Sequence, residues 1–418
     1  MKVRFLGGAR EVGRSAILVD DRLLLDYGMD SGNPPRFPIE DPDPDAVVVS
    51  HGHLDHVGTL PALLSGSARP PVHWTPPTRD LALLLARDTL RLHGGTYDCP
   101  FTETEIARLT QVSTTHGYRE PFAVLGGAAD GGYDVTFFDA GHIPGSAHVL
   151  VDDGATRLLY TGDFAVEDQQ LLDGTTARPA ADAVICESTY ADTTRPPRAE
   201  IERGFVDRLR ETVWEGGTAV VPAFAIGRTQ EVLALCGAND VDCYVDGMGK
   251  RVARLLARPR NRDFLARPEA LQRGMGNARF VDGRDGQRQR IAAKSTVVVT
   301  TSGMLQGGPA MTYVPEIYDH PGNAIVLTGY QVEGTPGREL LETGSAAFDG
   351  RMMPVSAQVE SYDFSAHADR NGLLAFLSAY EDAAVFVNHG DRCDSFAEEL
   401  SDLGYEASAP VVGDRISI

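Results

Sequence analysis

The sequence concentrates metal-ligand residue types in one short stretch, residues 50–56. Four of its seven residues are ligand types: His51, His53, Asp55 and His56. The β-branched run at 46–49 predicts a buried strand, so the cluster follows a strand end. A tight loop there can direct ligands to two sides and so serve two metal ions. We disfavour a plain surface loop, because the chain has only 11 histidines in 418 residues.

Two further ligand types follow later predicted strands. His142 lies in a glycine-flanked loop after residues 135–138, and it repeats the arrangement of the first cluster as a third histidine for the first metal. In the segment 157–164, Asp163 lies at another strand end, where its two oxygens suit a carboxylate that bridges two ions. Asp26 ends an earlier strand. It either accepts a hydrogen bond from a metal-bound histidine or starts a turn, and the sequence favours neither.

Four other histidines fit no ligand pattern, and we predict surface or core positions for them: His73, His93, His116 and His148. Short strand-like runs at 16–19 and 23–25, joined by the turn dipeptide Asp20–Asp21, indicate the opening hairpin of a sandwich. Helices are predicted at 60–64 and 78–92, the second with Thr78 as its N-cap. Between residues 190 and 350, strands alternate with helical stretches, which predicts a parallel sheet flanked by helices.

The composition is that of a globular protein without a membrane span, and we expect a cytoplasmic protein. Its five cysteines show no CxxC spacing, which favours reduced thiols over a disulfide framework. The formal charge of −21 would ordinarily argue against nucleic acid. However, only three of the basic residues are lysines, which is typical of proteins from halophiles, so the charge does not exclude RNA.

The ordered set of ligand types resembles the metallo-β-lactamase fold hydrolases, with residues 51–56 as H-x-H-x-D-H and His142 and Asp163 at the remaining ligand positions. The resemblance implies an α/β fold, an αββα sandwich with a dinuclear site at one edge of its two sheets. Segments around Glu187, His367 and His389 are similar to the three signature motifs of the β-CASP nucleases. The implied domains are a first metallo-β-lactamase part at 1–190, an inserted β-CASP domain at 191–350 and a completing part at 351–418.

The resemblance also implies roles for the site residues. His51, His53 and His142 would hold one zinc ion; Asp55, His56 and His389 would hold the other; Asp163 would bridge them. Asp55 would thus serve both as ligand and in catalysis. His367 would be the general acid, and Glu187 would orient it. Alternatively, Glu187 is a carboxylate at a helix N-terminus, and His367 is a neighbour of the metal site without a role in proton transfer.

Weaker matches concern the substrate, for which the resemblance suggests phosphate-facing donors: Arg228, Ser302, Gly303 and Ser365. The basic stretch 250–262 either follows a single-stranded phosphate backbone or pairs with acidic surface.

Within the family, residues 50–56 and 187–190 look more like the archaeal cleavage and polyadenylation specificity factor branch, here without KH domains, than like ribonuclease J. The expected function is that of a zinc-dependent ribonuclease that acts on single-stranded RNA in mRNA 3′-end processing or RNA decay. It would act as an endonuclease, as a 5′-to-3′ exonuclease, or as both. A homodimer, and membership of an RNA-processing complex, are expected by analogy. Two alternatives stay open: a catalytically silent scaffold subunit and a small-molecule metallohydrolase.

Overall fold

The computed structural model describes residues 1–32, 34–348 and 350–418. The chain divides into two compact units. The first comprises Met1–Asp168, Gly174–Thr194 and His367–Ile418, and the second comprises Gln169–Asp173 and Arg195–Ala366. Within the described residues, no helix combines the length and the apolar character needed to cross a bilayer.

The first unit contains two seven-stranded sheets. The strands of one sheet, in spatial order, are β22 (Arg415–Ser417), β1 (Lys2–Gly7), β2 (Ala16–Val19), β3 (Leu23–Leu25), β4 (Ala46–Val48), β5 (Val72–Trp74) and β6 (Ser113–Thr115). Those of the other are β21 (Ala407–Ser408), β20 (Ala384–Asn388), β11 (Ala183–Glu187), β10 (Arg157–Tyr160), β9 (Ala147–Asp152), β8 (Tyr133–Asp139) and β7 (Phe122–Val124). Strands β10, β11 and β20 run parallel, so their carboxyl ends meet at one edge.

Alternating residues of the two sheets face each other and form one core. Phe5 and Ile17 from the first sheet, and Phe137 and Val149 from the second, are fully buried members of the same cluster. The residues between them point outward and are covered by helices, as expected when both faces of a sheet are buried. The first unit is therefore the four-layer αββα sandwich predicted from the sequence.

The helices of the first unit cover the outer faces of the sheets. They are α1 (Leu54–Val57), α2 (Pro76–His93), α3 (Glu103–Gln111), α12 (Arg370–Leu377) and α13 (Cys393–Asp402), with 3-10 turns at Leu60–Leu64 and Ala128–Asp130. The prediction of Thr78 as the N-cap of α2 is wrong. Thr75 caps the helix by accepting a bond from Thr78 N at 3.4 Å. The two prolines at 76 and 77 suit the first helical positions, where no amide donor is needed.

The second unit is built on a six-stranded parallel sheet in the order β14 (Ala278–Phe280), β13 (Cys243–Asp246), β15 (Val297–Thr300), β12 (Ala219–Pro222), β16 (Ala324–Leu327) and β19 (Gln358–Ser361). A hairpin of β17 (Ser345–Phe348) and β18 (Arg351–Pro354) accompanies it. The helices are α4 (Arg198–Trp214), α5 (Arg228–Ala238), α6 (Gly249–Leu256), α7 (Pro259–Arg262), α8 (Pro268–Asn277), α9 (Gln287–Ala292), α10 (Ala310–Ile317) and α11 (Pro336–Thr343). This is the predicted alternation of strands and helices.

The compact units change over at residues 194 and 366, whereas the sequence-based domain boundaries lie at 190 and 350. Pairing of β19 with β16 keeps the chain in the second unit beyond residue 350. The short excursion Gln169–Asp173 joins the second unit because the buried carboxylate of Glu231 accepts bonds from Gln170 N at 2.8 Å and Leu171 N at 3.0 Å. The domain boundaries themselves stay a prediction.

Candidate metal centre

One group of donor atoms comes from three histidines and an aspartate of the first unit: His51, His53, His142 and Asp163. His53 Nδ1 lies 3.2 Å from His51 Nε2 and 3.0 Å from His142 Nε2. Asp163 Oδ2 lies 3.5 Å from His51 Nε2 and 3.9 Å from His142 Nε2. Four donors thus surround one point, contributed by the loops that follow β4, β8 and β10.

A second group lies beside it and contains Asp55, His56, His389 and again Asp163. His389 Nε2 is 3.5 Å from both Asp55 Oδ2 and Asp163 Oδ1. His56 Nε2 is 3.5 Å from Asp163 Oδ1 and 3.9 Å from Asp55 Oδ2. His389 follows the end of β20 in a left-handed conformation, with φ of 50°, and its amide donates to Gly8 O at 2.8 Å.

Asp163 belongs to both groups because its two oxygens face different ways. Oδ2 faces the first group and Oδ1 faces the second. Burial alone would raise the pKa of this carboxyl, but the imidazoles of His389 and His56 outweigh burial and hold the pKa well below its usual range. The carboxylate is therefore ionised and available to two cations.

The donor sets fit metal ions. His56 Nε2, Asp163 Oδ1 and His389 Nε2 are buried and make no hydrogen bond among the described residues. Buried polar atoms without partners are rare unless an ion or water satisfies them. Moreover, the donor spacings of 3.0–3.9 Å bracket the edge of about 3.3 Å expected for tetrahedral nitrogen ligands around zinc.

The pKa values of three histidines of the two donor groups are shifted in different directions. Burial lowers the pKa of His51 well below its usual value and that of His53 to about 4, so both are neutral near pH 7. Neutral imidazole is the form that binds metal. Burial also opposes the charged form of His56, but Asp163 and Asp55 outweigh it and raise that pKa well above the usual value. A cation at His56 would therefore compete with a proton for the ring nitrogen.

Asp26 orients His56 from the opposite side of the ring. Its Oδ2 accepts a bond from His56 Nδ1 at 2.7 Å, and this bond leaves Nε2 facing the second group. Ser50 donates to both oxygens of Asp26, from its amide at 2.7 Å and from its hydroxyl at 2.6 Å, and Tyr160 OH donates at 2.8 Å. Asp26 thus makes the histidine contact that was one of its two predicted alternatives, and its φ of 58° gives it a turn conformation as well.

Glu187 and His367 form a pair next to Asp163. His367 Nδ1 lies 3.0 Å from Glu187 Oε2 and 3.2 Å from Oε1. The carboxylate is held by Phe164 N at 2.7 Å and by Thr189 Oγ1 at 2.6 Å. The side chain of His367 is 18% exposed, whereas that of Glu187 is 1% exposed. The buried carboxylate therefore fixes a partly accessible imidazole.

The four predicted substrate residues lie in the second unit: Arg228, Ser302, Gly303 and Ser365. Arg228 begins α5, with its guanidinium 5.9 Å from the ring centroid of Phe364. Ser302 Oγ donates to Gln306 O and accepts from Gln306 N, both at 2.9 Å. Their role in binding substrate stays a prediction.

Two residues that hold the site in place were not predicted, Tyr160 and Thr189. Tyr160 lies in the run before Asp163, and its bond to Asp26 joins residues 134 positions apart. No local pattern signals such a contact. Thr189 stands inside the motif around Glu187, where a hydroxyl two residues from a buried carboxylate was the available signal.

Three family models match the chain. Residues 9–210 match the metallo-beta-lactamase superfamily, residues 231–340 the Beta-Casp domain and residues 352–410 the Zn-dependent metallo-hydrolase RNA specificity domain. Among solved structures, a protein of unknown function from Enterococcus faecalis V583 is similar in fold, with a TM-score of 0.61 and 12% identity over 99% of both chains.

Curated archaeal proteins are similar over 94–100% of the chain. RNase aCSPSF2 of Saccharolobus solfataricus is 34% identical over 100% of this chain and 85% of its own length. Probable RNase MJ4 of Methanocaldococcus jannaschii is 30% identical over 100% of both chains. Transcription termination factor FttA of Methanosarcina mazei is 32% identical over 94% of this chain and 67% of its own. The chain therefore belongs to the β-CASP family of metal-dependent hydrolases in the metallo-β-lactamase superfamily.

Proposed function

We propose that the chain is a ribonuclease that hydrolyses phosphodiester bonds in single-stranded RNA, internally or from the 5′ end, during RNA processing or decay. The observation that carries the proposal is the pair of donor groups sharing Asp163, with the Glu187–His367 pair beside them. Relatives named as RNases support RNA as the substrate, as does the match to an RNA specificity domain.

The cofactors proposed are two zinc ions. His51, His53 and His142 would hold one, and Asp55, His56 and His389 the other, with Asp163 between them. Zinc is preferred because the donors are mostly imidazole nitrogens. Bound metal would lower the pKa of a water molecule and offset the charge of the phosphate.

Residues of the chain would protonate the leaving 3′ oxygen. Water oxygen bonds to phosphorus, the bond from phosphorus to the 3′ oxygen breaks, and His367 gives its Nε2 proton to that oxygen. The products carry a 3′-hydroxyl and a 5′-phosphate. Glu187 accepts the Nδ1 proton in a hydrogen bond and stabilises the imidazolium before transfer. Asp55, whose side chain is 27% exposed, would serve both as a ligand and as the acceptor of a proton from the attacking water.

The test is cleavage of a 5′-labelled and a 3′-labelled single-stranded RNA by zinc-loaded protein. We expect internal fragments or 5′ mononucleotides, abolished by chelator, with His367→Ala slowed by about 10²–10⁴-fold. His93→Ala is the matched control, because His93 is an exposed histidine outside the donor groups, and it should cleave at the normal rate.

Two outcomes would contradict the proposal. Absence of cleavage with two metal ions bound per chain would favour a silent scaffold or a small-molecule hydrolase. A His367→Ala variant as active as the His93→Ala control would remove His367 from the reaction. The expected homodimer and cytoplasmic location remain predictions, which light scattering and cell fractionation can check.

A further inference from the structure

Charge is distributed unevenly along this acidic chain. The second unit has 21 Lys and Arg against 22 Asp and Glu, a formal charge of −1, whereas the first has 17 against 37, a charge of −20. Within the second unit, residues 250–294, here called the basic segment, contain 13 basic and 4 acidic residues. This segment of net charge +9 is where a polyanion would meet the least repulsion.

The basic segment borders a groove in the second unit with a volume of about 920 Å³. Arg279 and Lys294 of the segment line it together with Tyr244 and Trp214. Lys294 Nζ lies 3.0 Å from Tyr244 OH and 5.3 Å from the ring centroid, and the Arg279 guanidinium lies 5.8 Å from the same centroid. The groove therefore combines aromatic rings with cations, the combination that binds single-stranded nucleic acid.

Trp214 is a large aromatic residue of this groove that is almost fully exposed to solvent. It ends α4 and is 91% exposed, whereas the other tryptophan of the chain, Trp74, is fully buried. An exposed ring of this size beside a groove offers a face on which a ligand base can stack. Removal of one stacked base contact of this kind typically costs about 1–3 kcal/mol of binding.

The charged residues that line the groove are balanced between basic and acidic side chains. Three basic and three acidic residues line it: Arg210, Arg279, Lys294, Glu211, Asp240 and Asp242. Glu211 is paired with Arg208 at 3.0 Å. Because these charges balance, a neutral base fits the groove better than a phosphate. The flanking phosphates would contact exposed cations of the basic segment that line the groove, Arg279 and Lys294.

The groove lies at the amino ends of the parallel strands, since Asp242 and Thr296 immediately precede β13 and β15. The predicted substrate residues Ser302 and Gly303 follow the carboxyl end of β15, at the opposite end of the same sheet. We propose that this groove and the basic segment form a second docking site for single-stranded RNA, with a base stacked on Trp214 and phosphates on the segment. The proposal rests on the proposed function in taking RNA as the polymer.

Fluorescence tests the docking site without any cleavage. Zinc-loaded protein would be titrated with an uncleavable 2′-O-methyl phosphorothioate 12-mer, and tryptophan emission recorded. We expect saturable quenching, which reports on Trp214 because Trp74 is buried. Unchanged emission at saturating oligonucleotide, with binding verified by anisotropy, would overturn the proposal.

Variants locate the contacts by anisotropy with the same labelled 12-mer. Trp214→Ala should weaken binding by about 10-fold. The double variant Arg279→Ala/Lys294→Ala should lower the slope of log affinity against log salt by about 1.4. The controls are Tyr97→Ala, which removes a 75% exposed ring of the first unit, and Arg69→Ala/Arg91→Ala, which removes two exposed cations there. Controls that weaken binding as much as the test variants would refute the site.

Two further outcomes distinguish RNA docking from the binding of an acidic protein, and the docking site from the proposed ribonuclease function. Polyglutamate that displaces the 12-mer as well as unlabelled RNA does would identify a surface for acidic protein and overturn the RNA proposal. Quenching that depends on Trp214 in a chain that cleaves no RNA would leave the docking site standing while the proposed function failed. If both hold, Trp214→Ala should raise KM for a 30-mer and leave cleavage of a 5-mer unchanged.

Discussion

At the residue scale, Asp163 is the side chain on which both donor groups depend. Asp163→Asn keeps the shape but replaces one carboxylate oxygen with an amide that cannot bind a cation. Because each oxygen faces a different group, we expect the variant to bind fewer than two zinc ions and to lose at least about 10²-fold in affinity. Metal content after dialysis against a zinc buffer checks this.

The matched comparison for Asp163→Asn is Asp88→Asn, a buried carboxylate on α2 outside the donor groups. If Asp163→Asn retains two tightly bound zinc ions, as Asp88→Asn is expected to do, the shared carboxylate is not a ligand.

Individual residues of the site were predictable to different degrees. His51, His53, Asp55 and His56 stand together in sequence and follow a strand, so their meeting required only local information. Asp26 could be assigned no partner from sequence, because its contact with His56 depends on β3 lying beside β4. Tyr160 was missed for a similar reason, since its hydroxyl reaches Asp26 from the other sheet.

At the element scale, β5 and the end of the neighbouring edge strand β6 bring together buried His73 and partly buried His116, a pair that should make stability depend on pH. His73 Nδ1 lies 2.9 Å from His116 Nε2. Burial, followed by the nearby His116, lowers the pKa of His73 to about 4. The unfolded chain, with a histidine pKa near 6.5, binds more protons between pH 6.5 and 4. This contribution to stability is therefore complete above about pH 6.5 and is lost as the pH falls towards 4.

We expect His73→Gln to flatten the decline of unfolding free energy below pH 6.5 by about 1–2 kcal/mol. Urea denaturation of metal-free protein at several pH values measures it, since bound metal would add its own pH dependence. The exposed His93 provides the control variant His93→Gln. A decline as steep in His73→Gln as in the control would contradict the assignment.

Elements were predicted where hydrophobic pattern and turn residues agree. Asp20 and Asp21 both have positive φ, of 50° and 55°, and join β2 to β3 as the dipeptide predicted. The start of α2 was misplaced because Thr75 and Thr78 are both plausible caps, and only the backbone of Thr75, extended with ψ of 156°, has cap geometry. The hairpin of β17 and β18 was not predicted, because its sequence shows no clear alternation of apolar and polar residues.

At the scale of the whole molecule, the charge of −20 on the first unit predicts a strong response to salt. Like charges repel over about 10 Å at 0.1 M salt but only about 3 Å at 1 M. We expect the unfolding temperature to rise by about 10 °C between 0.1 M and 2 M KCl. Calorimetry at both concentrations measures it, and an unchanged or lower temperature would contradict the predicted adaptation to high salt.

The fold class was predictable because the motifs are spread over the whole chain and each follows a strand. The uneven division of charge could also be counted from the sequence, because the predicted inserted domain at 191–350 contains the basic stretch. Net charge alone argued against nucleic acid, whereas the basic segment of the second unit argues for it.

The first unit is assembled from three stretches of chain, and His367 and His389 come from the last of them. On the ribosome, seven of the nine site residues are therefore synthesised before Arg195–Ala366, the main part of the second unit, and only two are synthesised after it. A nascent chain that ends before residue 367 lacks both of these histidines. With the proposed roles of His367 and His389, we expect the nascent protein to be unable to cleave its own messenger until translation has passed residue 389.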